Sequence, residues 1–382
     1  MPAEIQLKGM TWSDPRGYDP MIAASAAFSE RHPEVVFTWD KRSLQGFETT
    51  PVDVLAAEYD LMIIDHPHVG AVASEGCLLP LDEWVSQSAL TALANETVGK
   101  SFISYTLEGH QWAFPVDAAT QVQAHRSDLG RRAKSWADII QAAQQGAVVL
   151  PMRPPHSLMC VCTLAANIGH PCGSDRTRLL PDNVAMTVFK ALKAVTDQID
   201  PACFKMDPMA ALDQLAGSDS VRIAPLTYMY KGYSDLGYRT NRITFSDMPV
   251  LGPSGPVGSA LGGTGIAVSS QTAHPGLCAK FACWLAGAEC QSTLYASSNG
   301  QPGNAVAWAN KKVNEPVLDA YWNTRLTHEA AWLRPRHKGY MAFQETGSEI
   351  VNAALTGTLE LSAAISALNC EFAASFNRES AN

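Results

Sequence analysis

The residues most able to do chemistry sit in four places. Asp65-His66-Pro67-His68 puts a carboxylate and two imidazoles after an apolar run, donors that suit a transition metal or general acid–base work. A third ligand at helical or loop spacing is missing nearby, so ligand contact or structural hydrogen bonding is the favoured reading and no metal is assigned. His66 and His68 point alike only if the segment stays extended. Cys160 lies near the start of a helix read over residues 158–168, where the helix dipole would lower a thiol pKa and make a nucleophile; a small buried side chain is the stronger reading. Cys162 faces away from Cys160 on such a helix, so these two with His170 and Cys172 make no zinc cluster. The aromatics Trp12, Tyr228, Tyr230, Tyr233 and Trp322 fall mostly in loops, and exposed rings stack on sugars or surround cations. Arg334-Pro335-Arg336-His337 is the one concentrated basic site, suited to a carboxylate or to an internal ion pair.

Other chemistries are excluded. Glycines 252, 255, 258, 262, 263 and 265 invite a phosphate loop, but neither the dinucleotide fingerprint nor the P-loop pattern occurs, so a tight crossing loop is expected and no cofactor. Lys and Arg number 28 against 37 Asp and Glu, a net charge of −9 with no long basic run, which argues against nucleic acid. The longest uncharged stretches, 154–174 and 248–279, are broken by Pro, Gly, Ser, Asn or His, so no membrane span is expected. Nine cysteines at irregular spacing read as mostly reduced thiols. No basic segment precedes the short Ala-rich run at 21–28, so a cytoplasmic location is expected for the chain as written, and a periplasmic one if a leader was removed.

These groups need elements to hold them. Residues 5–10 alternate as a strand, 11–17 form a Ser/Asp/Pro/Gly loop, and Met21, Ala24 and Phe28 recur at helical spacing. Residues 35–39 are β-branched and aromatic, 52–58 suit a short helix, and 60–65 form an apolar run typical of a strand buried on both faces. The opening therefore reads βαβαβ, and a parallel sheet binds ligands beyond its strand C-termini, where loops 11–17 and 66–70 meet. Further on, 109–116 holds a short strand, Ser135 caps a helix, 147–150 reads as a buried strand, 184–199 as a helix and 266–268 as an apolar strand. At 382 residues, two lobes are expected on a prior of roughly 100–200 residues per domain.

The order of the motifs resembles the family 1 extracellular solute-binding proteins of ABC importers, the maltose-binding-protein-like group. The matching features run from Tyr59-Asp60-Leu61 and Gly76-Cys77-Leu78-Leu79-Pro80-Leu81-Asp82 through Phe114-Pro115-Val116-Asp117, Arg126-Ser127-Asp128 and Ser135-Trp136-Ala137-Asp138. They continue with Gly262-Gly263-Thr264-Gly265, Phe281-Ala282-Cys283-Trp284-Leu285 and Gly300-Gln301-Pro302. The resemblance implies an α/β, two-lobed periplasmic-binding-protein-like fold, each lobe a mostly parallel sheet flanked by helices and joined by hinge strands. Lobe I would be 1–114 plus 260–312 and lobe II 118–256 plus 318–382, with hinges near 115–117, 257–259 and 313–317.

By that resemblance a small polar ligand, sugar-like or an amine or acid, sits in the inter-lobe cleft of an expected monomer. An ABC permease is the expected partner if the chain is exported. The ligand contacts expected are Trp12, Ser13, Asp65, His66, Asp117, Tyr228, Tyr230, Gly262, Gly263, Thr264, Trp322 and Arg336. The alternative is a leaderless cytosolic enzyme on the same fold, as in thiaminase I, with Cys160, or Asp65 and His66, performing nucleophilic or acid–base chemistry.

Overall fold

A computed structural model describes residues 4–43, 46 and 50–377; positions 1–3 and 378–382 of the expected lobes lie outside the described residues. The chain divides into two compact units, Met1–Ala118 with Gly262–Glu315, and Ala119–Leu261 with Pro316–Asn382.

In the first unit, β1 (Ile5–Trp12) leads into α1 (Pro15–Arg31). Asp14 caps that helix by accepting from the Arg16 amide, and Pro15 occupies the first turn, where its missing N–H costs nothing. β2 (Val35–Arg42) and β3 (Leu61–Asp65) both lie parallel to β1. The apolar run of β3 has the expected cause: Leu61 and Ile63 join one core with Phe28 and Phe281, whereas Met62 and Ile64 join another with Tyr105 and Val72. A strand covered on both faces has no polar side to alternate with.

α2 (Gln87–Glu96) follows, and then the twelve-residue β4 (Phe114–His125), buried along its whole length, across which the chain passes from one unit to the other. In the second unit α3 (Trp136–Gln144) opens on the expected Ser135 cap, which Asp138 completes as a reciprocal capping box. α4 (His156–Asn167), α5 (Asp182–Thr196) and α6 (Pro208–Gly217) come next, followed by β5 (Ile223–Tyr228) and β6 (Thr244–Ser246). β7 (Leu261–Val268) and α7 (Pro275–Ala286) belong to the first unit from Gly262 onward, and α8 (Tyr340–Leu355) and α9 (Leu361–Ser375) complete the second. All twelve residues of α4 are buried, in a core shared with Phe189, Leu192, Phe343, Leu368 and Phe372.

The α/β class stands, and two details of it are corrected. β7 runs antiparallel to β3, and in the second unit β5 and β6 both run antiparallel to β4, so the mostly parallel pattern describes only β1 to β3. A parallel neighbour needs a crossover that returns the chain to its starting end; the helices between β4 and β5 deliver it to the opposite end instead. Residues 147–150 are buried as expected but make only an isolated bridge, Val148 with Ile223. Among the described residues no helix is long and apolar enough to cross a membrane.

Candidate functional site

Strand direction gathers one set of groups at a single edge of the first unit's sheet. β1 and β3 are parallel, so Trp12 and Asp65 close them at the same end, and antiparallel β7 starts there, with Thr264 directly opposite Asp65. Asp65 Oδ1 accepts from the His66 amide at 2.8 Å and stands 3.3 Å from His66 Nδ1. The Tyr105 hydroxyl donates to the Ile64 carbonyl at 3.1 Å, and its ring meets His66 edge-on. That packing needs a glycine at 265, since a Cβ there would lie 2.8 Å from the Tyr105 ring. Gly263 has φ +93, a conformation costly for any side chain. Thr264 Oγ1 is buried and finds no hydrogen-bond partner among the described residues.

Asp117 belongs to the same unit and is fully buried against Arg16, whose Nε donates to its Oδ2 at 2.6 Å while Nη2 donates to Oδ1. Burial pushes the Asp117 carboxyl up, Arg16 opposes it, and Asp14 and Asp65 add to the rise. Asp117 was expected to contact ligand; the structure gives it an internal ion pair, the fork geometry that guanidinium and carboxylate favour. The sequence reading missed Arg16, and Asp14-Pro15-Arg16 opening a helix was its available signal.

A second cluster lies wholly in the second unit. The His156 and Tyr228 rings meet edge-on with centroids 5.9 Å apart. Arg334 Nη1 donates to Gln344 Oε1 at 3.0 Å. The Arg334 charge bears on both His156 and Tyr340, and Tyr228 on Tyr340. His156 Nδ1 and the Tyr340 hydroxyl are buried without a hydrogen-bond partner among the described residues. Burial holds the His156 pKa down to about 4, so the ring is neutral at pH 7, and burial pushes the Tyr340 phenol up. His156, Tyr340 and Gln344 escaped the sequence reading. A histidine heading the apolar run 158–168 was the one signal for them.

Several expected contacts are placed differently. Trp12 is no loop residue: it is the buried last residue of β1, laid so closely on α1 that a Cβ at Gly17 would sit 2.3 Å from its ring. Ser13 is exposed, and Gly262 and Gly263 are half-buried. His66 to His68 form a 3₁₀ turn rather than an extended segment, which removes the shared direction of the two imidazoles, and His66 is fully buried. Tyr228 and Tyr230 are half-buried, whereas Tyr233 is buried and donates to Asp213 at 2.8 Å. Trp322 is 44% exposed on the short helix Ala320–Asn323. Arg336 is half-buried, and burial lowers its pKa.

Cys160 is corrected as a nucleophile. It lies in the middle of the second unit's core, its sulfur accepts from Gln121 Nε2 at 3.4 Å, and burial pushes its pKa up to about 12. Desolvation of the thiolate outweighs the helix dipole, whose favourable effect is about 0.3–1 kcal/mol when exposed. All nine cysteines are free thiols, and Cys370 is the exposed one. What the two clusters offer is hydrogen bonding, charge and ring faces.

The sequence pattern of a family described as bacterial extracellular solute-binding protein matches residues 23–318. No curated protein sequence matches. Among solved structures, an ABC transporter solute-binding protein from Agrobacterium radiobacter K84 in complex with ribitol superposes with a TM-score of 0.82 at 18% identity, covering 98% of this chain and 100% of that one. One from Thermotoga lettingae TMO bound with α-D-tagatose gives 0.81 at 15%, covering 98% and 100%. Maltose-bound MalE3 of T. maritima gives 0.80 at 13%, covering 98% and 99%. At these identities the likeness is one of fold.

Proposed function

We propose, on the premise that the chain belongs to the bacterial extracellular solute-binding protein family, that its solute is a small hydroxylated molecule, a sugar or sugar alcohol in size, which it delivers to an ABC permease. The protein is a solute-binding protein by that membership; the class of solute and the permease are the proposal. Ribitol, tagatose and maltose in proteins of this fold support it. The observation that carries it is the convergence of Asp65, the Thr264 hydroxyl, which has no hydrogen-bond partner among the described residues, and the Gly262-Gly263 backbone at one sheet edge. Carboxylates accept from sugar hydroxyls, while hydroxyls both accept from and donate to them, and groups already fixed by the sheet lose little entropy on doing so.

Tyr228 and Tyr230, half-buried in the second unit, are candidate stacking faces for a sugar ring. Segments 115–117, 257–259 and 313–317 are the proposed hinges between lobes 1–114 with 260–312 and 118–256 with 318–382. The protein works as a monomer on the extracellular side of the membrane, in keeping with the family and with the periplasmic of the two locations expected from the sequence. Trp322 and Arg336 remain candidate contacts.

Calorimetric titration with ribitol, mannitol, tagatose and maltose tests the reading. Saturable binding of at least one is expected. Asp65→Ala and Tyr228→Ala should each weaken it about five- to tenfold, the loss of a hydrogen bond or stacked ring of ~1–1.5 kcal/mol. Affinity unchanged in both variants would refute these contacts.

A further inference from the structure

We propose that Cys162 and Cys172 close a disulfide when the chain folds in an oxidising compartment, and that this bond braces the second unit. The compartment rests on the extracellular location given above; the pairing rests on where the two thiols lie.

Cys162 stands in α4, and Cys172 on the connection between α4 and α5. The amides of Gly169 and His170 donate back to the carbonyls of Ala166 and Ala165, at 3.0 and 2.9 Å, so the chain turns back over the helix end it has just left. The Gly173 amide then donates to the Leu179 carbonyl at 3.0 Å, in a left-handed conformation with φ +69, and a Cβ there would lie 3.1 Å from the Phe372 ring of α9. Held on both sides, Cys172 is returned to the core beside α4. Both thiols are buried in the cluster that includes Leu158, Leu179 and Phe372, and the Cys172 thiol donates a hydrogen bond to Cys162.

A thiol is a weak donor and a weak acceptor, so little is lost when two that already meet give up their protons and bond to each other. Sharing an ion would take more donors, and no group of three or more His, Cys, Asp or Glu side chains lies together among the described residues. The competing thiols face other partners: Cys160 accepts from Gln121, and Cys278 lies 3.7 Å from the Thr272 hydroxyl. Between α4 and α5 the chain carries only the isolated bridge of Asp175 with Arg178, so Cys172 can adjust toward a sulfur that the helix fixes.

The oxidant is a disulfide, that of a dithiol protein or of glutathione. One cysteine thiolate attacks a sulfur of that disulfide and releases one of its thiols; the second cysteine attacks the mixed disulfide at the first cysteine's sulfur and releases the other. The pair gives up two protons and two electrons, and the oxidant takes them up as two thiols. Burial, and after it the bond to Cys162, push the Cys172 pKa well up, which makes thiolate scarce in the folded protein and assigns the exchange to folding, before the core closes. The bond then restricts the unfolded chain around the end of α4.

The experiment refolds the full reduced chain in mildly alkaline buffer with oxidised and reduced glutathione. Thiols titrated after denaturation without reductant are expected to number seven, the nine cysteines less two. The mass should fall by about 2 Da, with one proteolytic fragment linking Cys162 to Cys172. Cys172→Ser treated alike should keep eight thiols, nine less one. Circular dichroism checks its folding, and if it does not fold, the wild-type linkage map decides alone. Wild type refolded with reductant throughout should unfold roughly 3–8 °C below the oxidised form. Nine thiols after oxidative refolding, or a link from either residue to a third cysteine, would overturn the pairing, and equal unfolding midpoints would overturn the brace. Either result leaves the solute-binding reading intact, because the titrations above test that on their own.

Discussion

The Asp65–Thr264 edge of the first unit and the His156–Tyr340 cluster of the second present polar chemistry in opposite ways. At the edge, strand register sets the positions, and most charge is already answered within the protein: Asp65 caps its own turn and Asp117 is clasped by Arg16. In the cluster, positions come from the start of α4, the end of β5 and the start of α8, and two buried polar atoms are left unanswered among the described residues. The edge also holds one hydroxyl, Thr264 Oγ1, unanswered among the described residues, on a surface otherwise fixed by strand register. The cluster carries two such atoms inside a packed core, and so a larger desolvation cost.

Removing an answered charge should hurt folding most. Arg16→Met leaves the Asp117 carboxylate buried and unpaired, and an expected loss of about 3–5 kcal/mol in urea unfolding follows. A loss below ~1 kcal/mol would show that the pair is not what holds this edge.

The cluster has its own signature in pH. Burial lowers the folded-state pKa of His156 and of His125 from 6.5 to about 4. The unfolded chain therefore binds protons that the folded one does not, so stability is fully present above pH 6.5 and falls as pH drops toward 4. The loss should be roughly 2–4 kcal/mol per histidine, and His156→Asn should remove one share of it. Thermal or urea unfolding between pH 7 and pH 4 measures this, and an identical slope in the variant would contradict the assignment.

The smallest effect belongs to a group outside both regions. Cys160→Ser is expected to cost about 1 kcal/mol of stability and to leave solute affinity within threefold, because Cys160 is packed in the core and Ser still accepts from Gln121. A tenfold loss of affinity would return Cys160 to the site.

The contrast also explains what the sequence disclosed. The βαβ opening, the buried β3 run, the Ser135 cap and the gathering of loops at the ends of β1 and β3 follow from local periodicity and chain direction. Arg16 with Asp117 is a pair 101 residues apart, and His156, Tyr228 and Tyr340 come from three separate elements, so no local spacing announces either. Cys160 misled because helix position was visible and burial was not. Trp12 misled for the same reason, since a tryptophan bordering a polar loop looks exposed until Gly17 is seen to make room for its ring.

The central claim is capture without chemistry. The most direct measurement takes the tightest-binding of ribitol, mannitol, tagatose and maltose, incubates it with wild-type protein for a day, and combines calorimetry with mass spectrometry of the recovered solute. The account predicts one saturable site per chain and a solute returned at unchanged mass. A product that grows with protein concentration, and that His66→Ala abolishes while binding persists, would contradict it.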